Sequence, residues 1–273
     1  MSPTRRGRGA LWSSLAVLGL VAVGALLAPL VAPASPAHQD LERRLEGPSL
    51  AHPFGVDELG RDILSRLLYG ARVSMAVGLT VVLLAGAVGT LLGLVAGYAG
   101  GRVDNLVMRV VDVVLAFPGI LLAIALVAVL GPALRHVVLG LVAIGWVGYA
   151  RLVRGQVLQL RELEFVAAAR ALGLPGRLIV LRHVLPNVLP TLFVQASLSM
   201  AGAILAEAGL SFLGLGIQPP TPSWGAMVNS GRGHLIEAPH LALFPGLAIF
   251  ATVMALNFLG DALSERLDPR SAR

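Results

Sequence analysis

Cysteine and lysine are both absent from this chain of 273 residues, and charged residues are scarce. Without cysteine the chain has no disulfide, no thiolate metal site and no cysteine nucleophile. All 21 basic residues are arginine. Because a phosphate-binding P-loop needs a lysine, the chain has no conventional ATP site of its own. Charged residues are only 13% of the chain, against about 25% in a soluble domain. These absences indicate a membrane protein that does not hydrolyse ATP itself.

Long apolar runs take the place of the missing charges. Hydrophobic residues make up 56% of the chain, and the mean hydropathy is +0.81. Runs of about 20 residues recur, which is the length that a helix needs to cross a bilayer. We therefore predict an all-α polytopic membrane protein with about six transmembrane helices. The predicted spans are residues 11–32, 73–98, 110–130, 137–150, 189–210 and 243–263.

The distribution of arginine predicts the orientation. Most arginines fall in segments that are cytoplasmic if the N-terminus is inside, which explains the net charge of +6 without a nucleic-acid partner. The predicted division follows this topology. It comprises a cytoplasmic N-terminus (1–10), a first span (11–32), an external segment (33–72), a five-helix core (73–263) and a cytoplasmic tail (264–273). Within the core, residues 151–188 form a cytoplasmic loop and residues 211–242 an external loop. An alternative interpretation of the N-terminus is a cleaved secretory signal, but its apolar run is longer than the usual 7–15 residues.

The segment 164–187 is the most informative part of the chain. Ala167, Ala168 and Ala169 favour a short helix, and Gly173 followed by Pro175 is a strong stop signal. A second short helix would restart at Pro175 or Gly176 and lead through Leu185 and Pro186 into the fifth span. A smooth face of small side chains is suited to docking in a groove of a partner. The alternative is an ordinary basic cytoplasmic loop.

This segment resembles the cytoplasmic EAA loop of bacterial ABC importer permeases. Ala168, Ala169, Gly173, Leu185 and Pro186 match the family pattern, whereas Ala167 stands where the family most often has glutamate. Four further blocks resemble the dipeptide, oligopeptide and nickel permease subfamily, and within it the C-type subunit. These blocks are residues 52–74, 108–126, 205–228 and 244–270.

The resemblance implies a transport subunit in the bacterial inner membrane. It implies no cofactor and no catalytic residue in this chain, and a coupling loop made of Ala167–Ala169, Gly173, Leu185 and Pro186. The expected partners are a homologous B-type permease, P-loop ATPase subunits and an external substrate-binding protein. Peptides are the expected substrates, with nickel or another small solute as the alternative. An ion-coupled secondary transporter is a rival class, but it would need several intramembrane carboxylates.

Several other residues are candidates for a role. Glu207 in the fifth span, and Gln218 and Trp224 in the external loop, are candidates for the pathway or its outer face, and Trp224 suits the membrane interface. Glu207 could instead bond locally at the water boundary. Two pairs at helical spacing are expected to interact, namely Arg109 with Asp112 and Asn257 with Asp261.

Two patterns concern packing at the surface. Ala85, Gly89, Gly93 and Gly97 form a small-residue stripe on the second span, which would pack within the chain or against a second subunit. Residues 54–72 have the spacing of an amphipathic helix on the outer surface. The six histidines form no metal motif, so no metal site is expected.

Overall fold

The computed structural model describes residues 5–267, and this part of the chain is almost entirely helical. The helices are α1 (Arg5–Leu26), α2 (Ala28–Val31), α3 (Ile63–Ala99), α4 (Gly101–Leu115), α5 (Gly119–Leu130), α6 (Leu134–Leu160), α7 (Glu164–Ala171), α8 (Gly176–Ile179), α9 (Leu185–Phe212), α10 (Trp224–Gly231) and α11 (His240–Leu267). Between residues 5 and 267, the only extended pairing is an isolated antiparallel bridge between Val56 and Asp62. The predicted all-α class is therefore confirmed. Residues 1–4 and 268–273, which belong to the predicted N-terminal segment and tail, lie outside the described residues.

Four stretches are long and apolar enough to cross a membrane. They are Ile63–Ala99, Leu134–Leu160, Gly176–Phe212 and His240–Leu267. Each is longer than the span predicted from hydropathy, because helix caps rather than apolar residues determine where a helix begins and ends. The segment Gly176–Phe212 joins α8, a π-helical turn and α9 without a break.

The first and third predicted spans differ from single straight helices. In the first, a break at Leu27 separates α1 from α2, and the apolar part of α1 is Leu11–Leu26. In the third, α4 and α5 meet at a bend of 80°. Pro118 explains this bend because its ring disfavours helix in the preceding residue and it has no backbone N–H to donate.

The external segment is not the surface helix that its periodicity suggests. Gly55 and Gly60 have φ of +80° and +70°, which interrupts any helix before residue 62. Helix α3 begins after Asp62, whose carboxylate accepts a hydrogen bond of 2.6 Å from the backbone N–H of Ser65. The segment before it holds buried ion pairs, with Asp57 bound to Arg61 at 2.7 Å. The expectation of an amphipathic helix over 54–72 is therefore wrong for its first half. Periodicity alone does not reveal the glycine turns or the burial of the charges.

The small-residue stripe on α3 packs within the chain. Ala85, Gly89, Gly93 and Gly97 are all buried, and the three glycines lie against α6. A methyl group at Gly97 would come within 2.7 Å of the Cβ atom of Val157. Without side chains at these positions the two backbones approach closely, as small residues allow in membrane helices. The intrachain alternative is therefore the observed one, and the stripe is not a surface for a second subunit.

The core lies between α3, α6, α9 and α11 and has two distinct ends. Near α10, the buried Trp224 packs with Ile63, Ile204 and Leu256. At the opposite end, a second apolar cluster lies beneath α7. Helix α9 connects these ends, and its 28 residues span about 42 Å at the rise of an α-helix.

Candidate docking surface

Local sequence determines the turn that presents α7. The helix ends in a Schellman motif, in which Leu174 N–H donates to Ala169 O at 3.2 Å and Gly173 N–H donates to Arg170 O at 2.9 Å. Gly173 has φ of +77°, a left-handed conformation that favours glycine. Pro175 then precedes α8, so the helix stops and restarts at the predicted residues.

The inner side of α7 is firmly seated on the core. Val166 and Ala169 are buried and pack with residues of α6 and of the restarted helix, including Val157 and Ile179. The guanidinium of Arg170 lies 5.5 Å from the centre of the Tyr98 ring at the end of α3. Three separate elements therefore hold this short helix.

The outer side of α7 offers a face of small and apolar groups. Ala167 and Ala168 are exposed, and Gly173 is exposed with no atom within 4 Å of an added Cβ. Leu172 is 80% exposed and Phe165 is 40% exposed, so two large apolar side chains flank the alanines. We call these five residues the docking surface. Exposed apolar patches of this kind mark sites of association in soluble regions of proteins.

The other predicted members of the coupling loop have different positions. Ala169 is buried and belongs to the inner face of α7, which packs on the core, and not to its outer face. Leu185 is partly buried against the cluster beneath α7, and Pro186 is exposed in the first turn of α9. Glu164 is exposed in the first turn of α7, where a carboxylate favours the helix dipole. Phe165 and Leu172 were not predicted from the sequence. The pattern that could have revealed them is the placement of apolar side chains on the same helical face as the alanines.

Two arginines, Arg154 of α6 and Arg161 directly after it, bind the neighbouring helices. Arg154 donates to both carboxylate oxygens of Asp104 on α4, each at 2.7 Å. Arg161 donates to the carbonyl of Gly97 at 3.0 Å, where α3 ends. These contacts were not predicted, because their partners are 50 and 64 residues apart in sequence.

The two pairs predicted from helical spacing do not form. No ion pair joins Arg109 to Asp112 in the part of the chain that the structure describes. Both residues are exposed. The Asn257 side-chain amide donates to the carbonyl of Val253 at 2.9 Å instead of binding Asp261. These expectations are wrong because a backbone carbonyl or solvent competes for the same polar groups.

Glu207 of α9 is fully buried against α3. Its carboxylate accepts hydrogen bonds from Ser74 Oγ at 3.0 Å and from Ser211 Oγ at 2.7 Å. Both donors are hydroxyl groups, and no arginine or histidine forms an ion pair with Glu207 within residues 5–267. The carboxylate thus joins α3 to α9 and is shielded from solvent within the chain.

The two candidates in the external loop also differ in position. Trp224 is only 1% exposed, and its indole N–H donates to the carbonyl of Leu67 at 3.0 Å. The ring therefore faces the chain's own interior and not lipid headgroups, because it fills space that Gly70 leaves open on α3. Gln218 is exposed and donates to the carbonyls of Gly214 and Gly216. Among the described residues, no group of three or more acidic or histidine side chains could hold a metal ion.

Comparison with known proteins relates this geometry to a family. The family model described as "Binding-protein-dependent transport system inner membrane component" matches residues 89–273. The glutathione transport system permease protein GsiD of Escherichia coli O6:K15:H31 is 48% identical over 267 residues, which are 97% of this chain and 88% of that protein. The dipeptide transport system permease protein DppC of Alkalihalophilus pseudofirmus is 45% identical over 263 residues, which are 94% of this chain and 86% of that protein.

A solved structure has a similar fold. A chain of the MetNI methionine ABC transporter, determined in inward-facing conformations, superimposes with a TM-score of 0.61 at 18% sequence identity. The match covers 74% of this chain and 95% of that chain. At this identity the likeness concerns the arrangement of helices alone.

Proposed function

Because this chain belongs to the family of binding-protein-dependent transport system inner membrane components, we propose that it imports peptides through a pathway shared with a second permease. The family membership makes the chain a permease subunit of an ABC importer, which is a transport subunit and not an enzyme. It also assigns the chain to the inner membrane and to an assembly with a binding protein. The substrate, the partner permease and the site of ATPase docking are the proposed elements.

A peptide substrate is the proposal that the relatives favour. The similar proteins carry the names of a glutathione and of a dipeptide transport system. Glutathione and dipeptides are both short chains with free charged ends and amide groups. We propose that this importer accepts the same chemical class. Uptake of labelled dipeptides and glutathione by cells that produce the complete system tests this, and uptake of nickel alone would contradict it.

The exposed face of α7 is the observation that carries the proposed coupling. Ala167, Ala168 and Gly173 form a surface without long side chains, and Phe165 and Leu172 flank it. We propose that a groove in the ATPase subunit receives this surface. Since Ala167 replaces the glutamate usual in the family, contact would depend on shape and on the two apolar flanks instead of on that charge.

The packing of α7 on the core suggests how movement of the ATPase subunits would reach the pathway. Val166 and Ala169 fix α7 to the core, and α9 continues from the restart as part of a single 37-residue stretch. When two ATPase subunits close on ATP, they would draw the two coupling loops together. A helix fixed to α6 and α9 would then tilt these spans between inward-facing and outward-facing arrangements.

At the other end of the chain, the loop after α9 is the proposed contact for the binding protein. Its exposed Gln218 lies in the turn between α9 and α10. Glu207 and Trp224 would support this loop from within, because each bonds α3. In this proposal they position the outer end of the pathway and do not touch the substrate.

A bulky residue on the docking surface tests the coupling proposal. We expect Ala168→Trp to reduce ATPase co-purification and transport by about fivefold or more, since overpacking costs about 1–3 kcal/mol. Ala37→Trp is the matched control, because Ala37 is also an exposed alanine but lies before α3. Normal transport by Ala168→Trp would remove the docking surface from the mechanism.

The conformation of Gly173 provides a second test of the same surface. Asparagine tolerates a left-handed conformation better than branched residues do. Gly173→Asn should therefore keep much of the coupling, whereas Gly173→Val should lose it while the protein still inserts. Equal activity of the two variants would show that the helix stop does not matter for coupling.

The absence of cysteine allows a direct test of the proposed orientation. A single cysteine at Ala171, which is exposed on α7, should react with a membrane-impermeant maleimide only after the cells are opened. A cysteine at Ala37 should react in intact cells once the outer barrier is permeable. The reverse pattern would contradict the proposed inside location of both the loop and the termini.

A further inference from the structure

An apolar groove lies beside the docking surface but is separate from it. It has a volume of about 470 Å³, within the range of about 300–1,000 Å³ that is usual for ligand pockets. One wall is the end of α3, with Leu91, Val95 and Tyr98, and the other is the restart after Gly173, with Arg177 and Leu181.

The position of the groove limits what can fill it. Both walls belong to stretches that are long and apolar enough to cross a membrane, Ile63–Ala99 and Gly176–Phe212. Leu91, Val95 and Leu181 are exposed along it. Contact of such an apolar surface with water is unfavourable. A hydrocarbon chain can cover it without leaving any polar group without a hydrogen-bond partner.

The missing side chain of Gly176 keeps the groove in this shape. An added Cβ there would lie 3.0 Å from Cε1 of the Tyr98 ring. The ring would then have to shift toward the space between the two walls. Glycine at this position thus allows Tyr98 to remain against the restarted helix with the groove open beside it.

One arginine lines the groove, and a second lies over a ring that lines it. Arg177 is exposed and forms no ion pair within residues 5–267. Arg170, which is also exposed, lies over Tyr98 and has no carboxylate partner within the same residues. Guanidinium groups bind phosphate oxygens in a forked geometry that matches them well. Apolar walls that include the guanidinium of Arg177, with that of Arg170 over the adjacent Tyr98 ring, are complementary to a molecule with a hydrocarbon chain and a phosphate.

We propose that this groove binds an anionic phospholipid, with an acyl chain along α3 and the phosphate at Arg177 and Arg170. The leaflet assignment depends on the proposed function, because the docking surface must face the cytoplasm for the lipid to belong to the inner leaflet. Basic pockets between membrane helices on that side bind anionic headgroups. A lipid here supports the joint between α3 and the start of α9, directly behind α7.

Native mass spectrometry of the complete transporter tests the proposal. The complex is purified from nanodiscs that contain phosphatidylglycerol and phosphatidylcholine, and the bound lipids are counted. We expect retention of phosphatidylglycerol, reduced about fivefold by Arg177→Gln, which is the effect of one arginine near an anionic surface. Ala99→Trp, which places a large ring in the groove at an exposed position, should reduce it as well.

A matched control variant and the retention of the ATPase subunits distinguish lipid binding from binding of a protein partner. Arg109→Gln removes an exposed arginine of α4 that does not line the groove, and it should retain lipid as the wild type does. Equal retention of phosphatidylglycerol by all variants overturns the proposal. It is also overturned if Arg177→Gln loses the ATPase subunits while its bound lipid is unchanged, because the groove would then bind a protein partner. The coupling proposal fails instead if Ala168→Trp transports normally, and that result does not alter the expected lipid retention.

Discussion

Gly93 provides the most direct test of the packing between α3 and α6. In a Gly93→Ala variant the new methyl group would lie 2.7 Å from the backbone oxygen of Ala150 and 2.7 Å from Cβ of Val153. Because one of these atoms belongs to the backbone, relief requires α6 to move. Overpacking of this kind costs about 1–3 kcal/mol, and the better helix propensity of alanine returns about 1 kcal/mol. We expect a net loss of about 2 kcal/mol, near the upper end of the range.

Gly86 is the matched control on the same helix. A methyl group at Gly86 meets the Tyr149 ring at 3.5 Å, which is an ordinary contact. Gly86→Ala should therefore gain up to about 1 kcal/mol from propensity alone. The two variants should differ by about 3 kcal/mol, which corresponds to about 6–12 °C in melting temperature at about 2–4 °C per kcal/mol.

Thermal denaturation in detergent, followed by size-exclusion chromatography, measures this difference. A melting temperature of Gly93→Ala at or above that of Gly86→Ala would contradict close packing of α3 against α6. Release of a second permease subunit by Gly93→Ala at an unchanged melting temperature would contradict it as well. The stripe would then pack between chains and not against α6.

The remaining predictions concern buried and partly buried polar contacts. In a double-mutant cycle, Asp104→Asn and Arg154→Gln should each lower stability, with a coupling of about 1 kcal/mol because Arg154 is partly exposed to solvent. Additive effects in thermal denaturation would mean that the pair contributes nothing. Glu207→Gln keeps one acceptor oxygen, and its new NH2 group can donate to the second serine hydroxyl, so transport and melting temperature should change little. Glu207→Leu removes both partners and should cost about 1–3 kcal/mol. Loss of transport in Glu207→Gln at unchanged stability would assign the carboxylate a role in translocation.

Local signals predicted the backbone of residues 164–187 well. The alanine run, Gly173 and Pro175 define a helix, a stop and a restart through the backbone preferences of residues within a few positions of each other. Such preferences do not depend on distant parts of the chain, so they are visible in the sequence. The five blocks that resemble the permease family lead to the same class of protein that the family match establishes.

Contacts between distant residues were predicted poorly. Trp224 is a residue type that favours membrane interfaces, yet it is buried because its loop folds back onto Gly70 of α3. Asp104 and Arg154 meet across two helices, while the nearby Arg109 and Asp112 do not. Periodicity places a side chain on a face of its own helix, but it does not say which other helix covers that face.

The sequence by itself determined the membrane class, the helical content, the transport family and the stop and restart at Gly173 and Pro175. These properties depend on composition and on short-range backbone preferences. Only the tertiary structure decided that the glycine stripe packs against α6, that Glu207 is sealed between serines, and that Phe165 and Leu172 flank the alanines of α7. Burial and partner choice depend on how separate helices meet, and residues far apart in sequence determine that together.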